Sequence, residues 1–117
     1  MAAGKTPVVE SKVFAPDVVM SAVTGTILSH GWAEVHEFLE WVAGVPVMTH
    51  TLASDDVFQH LRTLVYGQFP MLAKLPTVEG VTDEATAAAW VRTRTTELLL
   101  PAAYTVTRVR WVEVTDE

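Results

Sequence analysis

Apolar residues recur every third or fourth position in three stretches of this chain, and β-branched residues gather near its two ends. Val19, Val23 and Ile27 repeat at intervals of four, with Ala22 and Thr26 beside them. They predict a first helix over about 16–29. Pro16 is tolerated in a first turn, and Asp17 there suits the helix dipole. Gly25 falls inside this span, at a cost of about 1 kcal/mol relative to alanine, and His30-Gly31 is the expected stop. Val35, Phe38, Leu39 and Val42 fall at i, i+3, i+4 and i+7 and predict a second helix over 32–43 with that stripe in the core. Gly44 ends it and Pro46 prevents its resumption.

Ser54 is a good cap for a third helix, with Asp55 and Asp56 in the first turn and Val57, Leu61, Leu64 and Val65 as its buried stripe. Gly67 and Pro70 close it, and 69–76 reads as an apolar loop bounded by prolines. Thr82-Asp83-Glu84 starts a fourth helix that runs to about Leu98 and carries Trp90, and Pro101 breaks it. Residues 8–14 and Tyr104–Val114 are rich in β-branched and aromatic side chains and read as extended, as does the short 47–49. In the last strand Tyr104, Val106, Arg108, Arg110, Val112 and Val114 share one face. Thr105, Thr107, Val109 and Trp111 share the other. The fold class expected is α+β, with about four helices packed on a two- or three-stranded sheet that includes the C-terminal strand. Residues 1–7 are expected to be a flexible tail, and 8–117 a single globular domain.

Composition narrows this further. Half of the 117 residues are hydrophobic and 19% are charged, enough apolar surface for a core. The chain has no cysteine, so disulfides and thiolate metal sites are excluded. No apolar run approaches the roughly 20 residues of a membrane span, and no signal-peptide core follows the first residues. The expectation is a cytoplasmic protein with no membrane association. A net charge of −6 argues against direct nucleic-acid binding and leaves a basic partner protein open, beside the simpler role of favouring solubility.

The candidate chemistry is sparse. His36-Glu37-Phe38-Leu39-Glu40 approaches a zinc-protease pattern without its second histidine. Two ligands do not make a site, so no metal and no cofactor is expected. Glu34, Glu37 and Glu40 form a dense acidic helix face, flanked by Trp32 and Trp41. That face is either solvated surface or a partner-binding surface, since tryptophan is enriched at binding hot spots. Two readings also stand for His50, between Thr49 and Thr51. It binds a ligand or moves a proton near neutral pH, or it hydrogen-bonds loop backbone and is structural. Arg92, Arg94, Arg108 and Arg110 either form a positive patch or pair with Glu97, Glu113 and the acidic tail. No nucleophile elbow, phosphate-binding glycine loop or catalytic triad is visible.

The run from Phe14 to Leu72 resembles a family of small bacteriophage proteins. The resemblance rests on Phe14, on Val23-Thr24-Gly25 with Ile27-Leu28-Ser29, on Met48-Thr49-His50-Thr51-Leu52, and on Phe69-Pro70-Met71-Leu72. Ala89-Trp90-Val91 fits more loosely. Val45-Pro46 and the C-terminal strand depart from the family pattern. The resemblance implies a phage or prophage product in the bacterial cytoplasm and brings no activity with it. The first functional expectation is therefore a non-enzymatic interaction protein that inhibits or modulates a host bacterial protein or immune complex, of the anti-CRISPR or anti-defence type. Its expected surface is Glu34, Glu37 and Glu40 with Trp41 or Trp32. The alternative is a small-ligand-binding protein with a pocket around Thr24, Thr49, His50 and Tyr66.

Overall fold

The two ends of the chain pair with each other. In the structure, a computed structural model, residues 4–29, 31–52 and 54–114 are described, with backbone alone at 49, 52 and 114. Strand β1 (Gly4–Phe14) runs antiparallel to β2 (Tyr104–Val114), in a register from Phe14 opposite Tyr104 out to Gly4 opposite Val114. The pairing reaches back through Pro7 to Gly4, so Gly4–Pro7, expected as tail, is strand. Residues 1–3 lie outside the described set.

Between the strands come four helices of nine residues or more: α1 (Pro16–Thr24), α2 (Trp32–Ala43), α4 (Asp55–Gln68) and α5 (Glu84–Glu97). A single helical turn, α3 (Thr49–Leu52), precedes α4, and a 3₁₀ turn (Pro70–Lys74) follows it. The fold is α+β, with a two-stranded sheet that includes the C-terminal strand.

Helix α1 stops at Thr24, five residues short of the expected end. Gly25 has φ 76° and its N–H donates to the Ser21 carbonyl at 3.0 Å. Glycine reaches that left-handed conformation without a Cβ penalty, so the glycine that looked tolerated inside the helix is its stop. The apolar spacing nonetheless continues through the turn. Leu28 is buried, and its N–H donates to the hydroxyl of buried Ser21 at 2.8 Å. That hydroxyl in turn donates to the Asp17 carbonyl at 2.6 Å.

Helix α2 has the expected bounds and stripe: Val35, Phe38 and Leu39 are buried, and Val42 packs against them. Helix α5 is held at its start by a reciprocal cap. The Asp83 carboxylate accepts from the Thr86 N–H at 2.8 Å, and the Thr86 hydroxyl accepts from the Asp83 N–H at 3.0 Å. Hydrogen bonds donated to the carboxylate by Thr86, first from its backbone N–H and then from its hydroxyl, hold the Asp83 carboxyl below the ordinary carboxylate range. Ser54 precedes α4 as expected, but its side chain makes no capping hydrogen bond.

The core lies where α1, α2, α4 and the base of the ribbon meet. Phe14, the last residue of β1, sits edge-on to Phe38 with centroids 5.1 Å apart. Tyr104, the first residue of β2, sits edge-on to Phe69 at 5.1 Å. Such pairs add about 0.5–1.5 kcal/mol beyond burial, and here they fix both ribbon strands to the helices. An 11-residue strand is roughly 36 Å long, and the molecule measures 61 × 30 × 22 Å. The distal ribbon stands clear of the helices: Gly4–Pro7, Arg110, Trp111 and Glu113 are exposed.

Candidate functional site

The most developed surface feature is the junction between α2 and the inner face of the ribbon. Glu10 of β1 and Arg108 of β2 are register partners. The Glu10 carboxylate accepts hydrogen bonds from Arg110 and, at 3.4 Å, from Arg108. These bonds, the one from Arg110 first, hold the Glu10 carboxyl below the usual range. Arg108 also stacks on Trp41 of α2, its guanidinium carbon 3.9 Å from the ring centroid. The Nε of Arg108 is buried with no hydrogen-bond partner. On the same side, Lys12 forms an ion pair with Glu37. A groove of about 320 Å³ runs between these elements, lined by Glu37, Glu40, Trp41, Pro46, Arg108 and Arg110 among others.

The expected acidic face is thereby divided. Glu34 and Trp32 are exposed at the start of α2. Glu37 is tied to Lys12, and Glu40 accepts the Val47 N–H at 2.8 Å. His36 donates from Nε2 to the Val47 carbonyl. The His36–Glu40 pair, considered above as two metal ligands, grips both polar groups of one peptide residue and pins the 45–48 loop to α2. Among the described residues no group of three or more His, Asp or Glu could hold a metal ion. Trp41 is partly buried, between Arg108 and Phe14.

Of the residues named for the alternative pocket, Thr24 and Tyr66 line one cleft, and His50 is not among the residues that line it. Val47–Thr49 is not a strand; Thr49 begins the helical turn α3, because the backbone before it is already committed to His36 and Glu40. His50 is exposed on that turn. The side chain of Thr49 lies outside the described set. Arg62 also lines the cleft of Thr24 and Tyr66.

The four arginines do not form one patch. Arg94 pairs with Glu97 at 3.0 Å, as expected, but among the described residues Arg108 and Arg110 share Glu10 rather than Glu113; the acidic tail, 115–117, lies outside the described residues. Register decides this, since Glu113 stands opposite Lys5.

A second feature escaped sequence reasoning. The outer face of the ribbon exposes Val9 (67%), Val13 (61%), Val109 (50%) and Trp111 (61%). Val9 and Val109 are direct partners, and Trp111 stands opposite Pro7. The alternation in Tyr104–Val114 already put Val109 and Trp111 on one face. What was missing was the β1 register that adds Val9 and Val13 to it.

No described helix is long and apolar enough to cross a membrane. No curated protein and no solved structure matches the chain. The sequence profile of one family, described as "Domain of unknown function (DUF7736)", matches residues 14–74, from the last residue of β1 to the end of the 3₁₀ turn, and the chain belongs to that family.

Proposed function

We propose that this protein acts by docking on another protein, without catalysis, through the ribbon and the adjoining face of α2. The observation that carries this is the outer ribbon face. A two-stranded ribbon is marginally stable in water by itself, yet this one turns four large apolar side chains to solvent on the side away from the helices. Val9, Val109 and Trp111 adjoin one another there, while the Ser11–Thr107 pair sets Val13 apart; an exposed apolar patch marks interaction sites, and an exposed tryptophan is a favoured anchor. The groove beside Trp41 offers paired acidic and basic groups that give a partner orientation more than affinity.

The resemblance of Phe14–Leu72 to bacteriophage proteins supports a partner in the bacterial host. A host defence complex is the specific case this reading names. Glu34 and Trp32 are the members of the α2 face free to meet it, because Glu37 and Glu40 already hold internal partners.

The test is capture from a bacterial lysate, read by mass spectrometry, with wild type, Trp111→Ser/Val109→Lys and Glu34→Lys. The ribbon variant is expected to lose the partner. Glu34→Lys is expected to weaken its capture mainly at low salt. A ribbon variant that keeps its fold and captures the same partner equally well removes the basis of the proposal.

A further inference from the structure

Away from the ribbon, Arg62 of α4 is a cation without an anion among the described residues. It is half-buried, and its Nε is buried with no hydrogen-bond partner. Among the described residues it forms no ion pair. The other partly buried cations, Lys12, Arg94 and Arg108, each hold a carboxylate, as expected where burying a charge is costly unless it is paired. The Arg62 guanidinium is held over the Phe58 ring at 5.0 Å, so the fork is positioned rather than free.

Arg62 forms one wall of a cleft of about 220 Å³ that also presents Thr24, Thr26, Tyr66 and Thr77. No carboxylate is among the described residues that line it. Arg62 and Tyr66 are four apart on α4 and so lie on one helix face. Thr26 comes from the turn after α1, and Thr77 from the segment after the 3₁₀ turn. Thr24 acts as a positioning residue. Its hydroxyl donates to the Met20 carbonyl at 2.7 Å and accepts the Thr26 N–H at 3.3 Å, which fixes the turn that carries Thr26. Gly25, with φ 76°, makes that turn possible beside Phe58 and Arg62.

We infer that this cleft is a binding site for a phosphate group, free or as a small phosphomonoester. A guanidinium fork and three hydroxyls from three chain segments supply more donors than a single carboxylate takes up, and they suit an acceptor with three terminal oxygens. The volume falls below the roughly 300–1,000 Å³ of sites for drug-sized ligands, which suits a phosphate group. The site is independent of the docking surface, and either can fail without the other.

The experiment is an amide chemical-shift titration of the full chain with inorganic phosphate and, separately, with glycerol 3-phosphate, at constant ionic strength with sodium chloride as control. The expected result is saturable shifts at Thr26, Thr77 and the Arg62 Nε–H that chloride does not produce. Arg62→Gln is expected to weaken binding at least tenfold, and Thr77→Val severalfold. Tighter binding of glycerol 3-phosphate supports a phosphomonoester, and binding of inorganic phosphate alone supports the free ion. Absence of saturable shifts with both overturns the inference, as does unchanged affinity in Arg62→Gln. If Arg62→Gln does not fold, Thr77→Val decides, and unchanged affinity there overturns it equally.

Discussion

The guanidinium of Arg108 lies 3.9 Å from the centre of the Trp41 ring. This stack joins the ribbon to α2 beyond the reach of the Phe14–Phe38 contact at the ribbon's base. Arg108 also shares the Glu10 carboxylate with Arg110, so one side chain couples the helix to both strands.

Arg108→Ala is therefore expected to lower stability by about 1–2 kcal/mol, from lost cation–π contact and lost packing of the stem. Arg108→Lys should recover only part of it, because an ammonium lacks the planar face that stacks on the ring. Urea unfolding followed by tryptophan fluorescence measures both. A loss below about 0.3 kcal/mol for the alanine variant, within the usual range for plain surface changes, would show that the stack does not hold the ribbon.

The Glu10 carboxyl is held below its ordinary value of 4.5, first by the Arg110 hydrogen bond. The unfolded chain thus takes up the proton at higher pH than the folded one. Glu10 contributes stability above the unfolded value, and loses it as pH falls through the folded one. Unfolding midpoints should drop from about pH 5 downward, and Glu10→Gln should show a shallower drop. Equal acid slopes for the two proteins would place the sensitive carboxylates elsewhere, with Asp83 the next to examine.

Tyr104 titrates in the opposite direction. Burial pushes its hydroxyl up to about 12, and that hydroxyl has no hydrogen-bond partner. The folded state favours the neutral phenol. Stability from this group is complete below the ordinary value of 10.0 and declines as pH rises from there toward about 12. An unpartnered buried polar group costs about 1–3 kcal/mol. Tyr104→Phe should accordingly leave stability unchanged or raise it by up to about that amount, and should flatten the alkaline decline. A loss above 1 kcal/mol on the scale of a broken hydrogen bond would mean that the hydroxyl has a partner.

Helix α5 ends with a leucine in a conformation that favours glycine. Leu99 has φ 54°. Its N–H bonds the Thr96 carbonyl at 3.4 Å, and that of Leu100 bonds Thr95 at 2.9 Å. This is the arrangement in which glycine usually occupies the position of Leu99. Leu99 is exposed, so little packing offsets the strain. Leu99→Gly should raise stability by about 1 kcal/mol, measured by thermal or urea unfolding. A destabilised variant would show that Leu99 packs or is not left-handed.

Helices α1, α2 and α4 were legible because each carries its own periodic stripe, and α5 because Thr82-Asp83-Glu84 announces its start; Val35, Phe38 and Leu39 lie in the core as their spacing predicted. What escaped depended on residues far apart in the chain. The Val47 peptide is claimed by Glu40 and His36, seven and eleven residues earlier, and no local pattern announces such a grip. Glu10 meets Arg108 and Arg110 across separations of 98 and 100 residues. Only the strand register selects it over Glu113. The ribbon's apolar face is hidden for the same reason, half of it lying at each end of the chain. Gly25 misled for a local reason, since a glycine inside an apolar repeat reads equally as tolerated or as a stop.

The most direct measurement of the docking proposal is photo-crosslinking from the ribbon. A photo-reactive amino acid is placed at Val109 in one protein and at exposed Arg92 of α5 in another, and both are irradiated in bacterial lysate. The prediction is one dominant adduct to a single host protein from position 109, suppressed by excess unlabelled wild type, with none from position 92. No competable adduct from position 109, or the same adduct from both positions, would contradict the account.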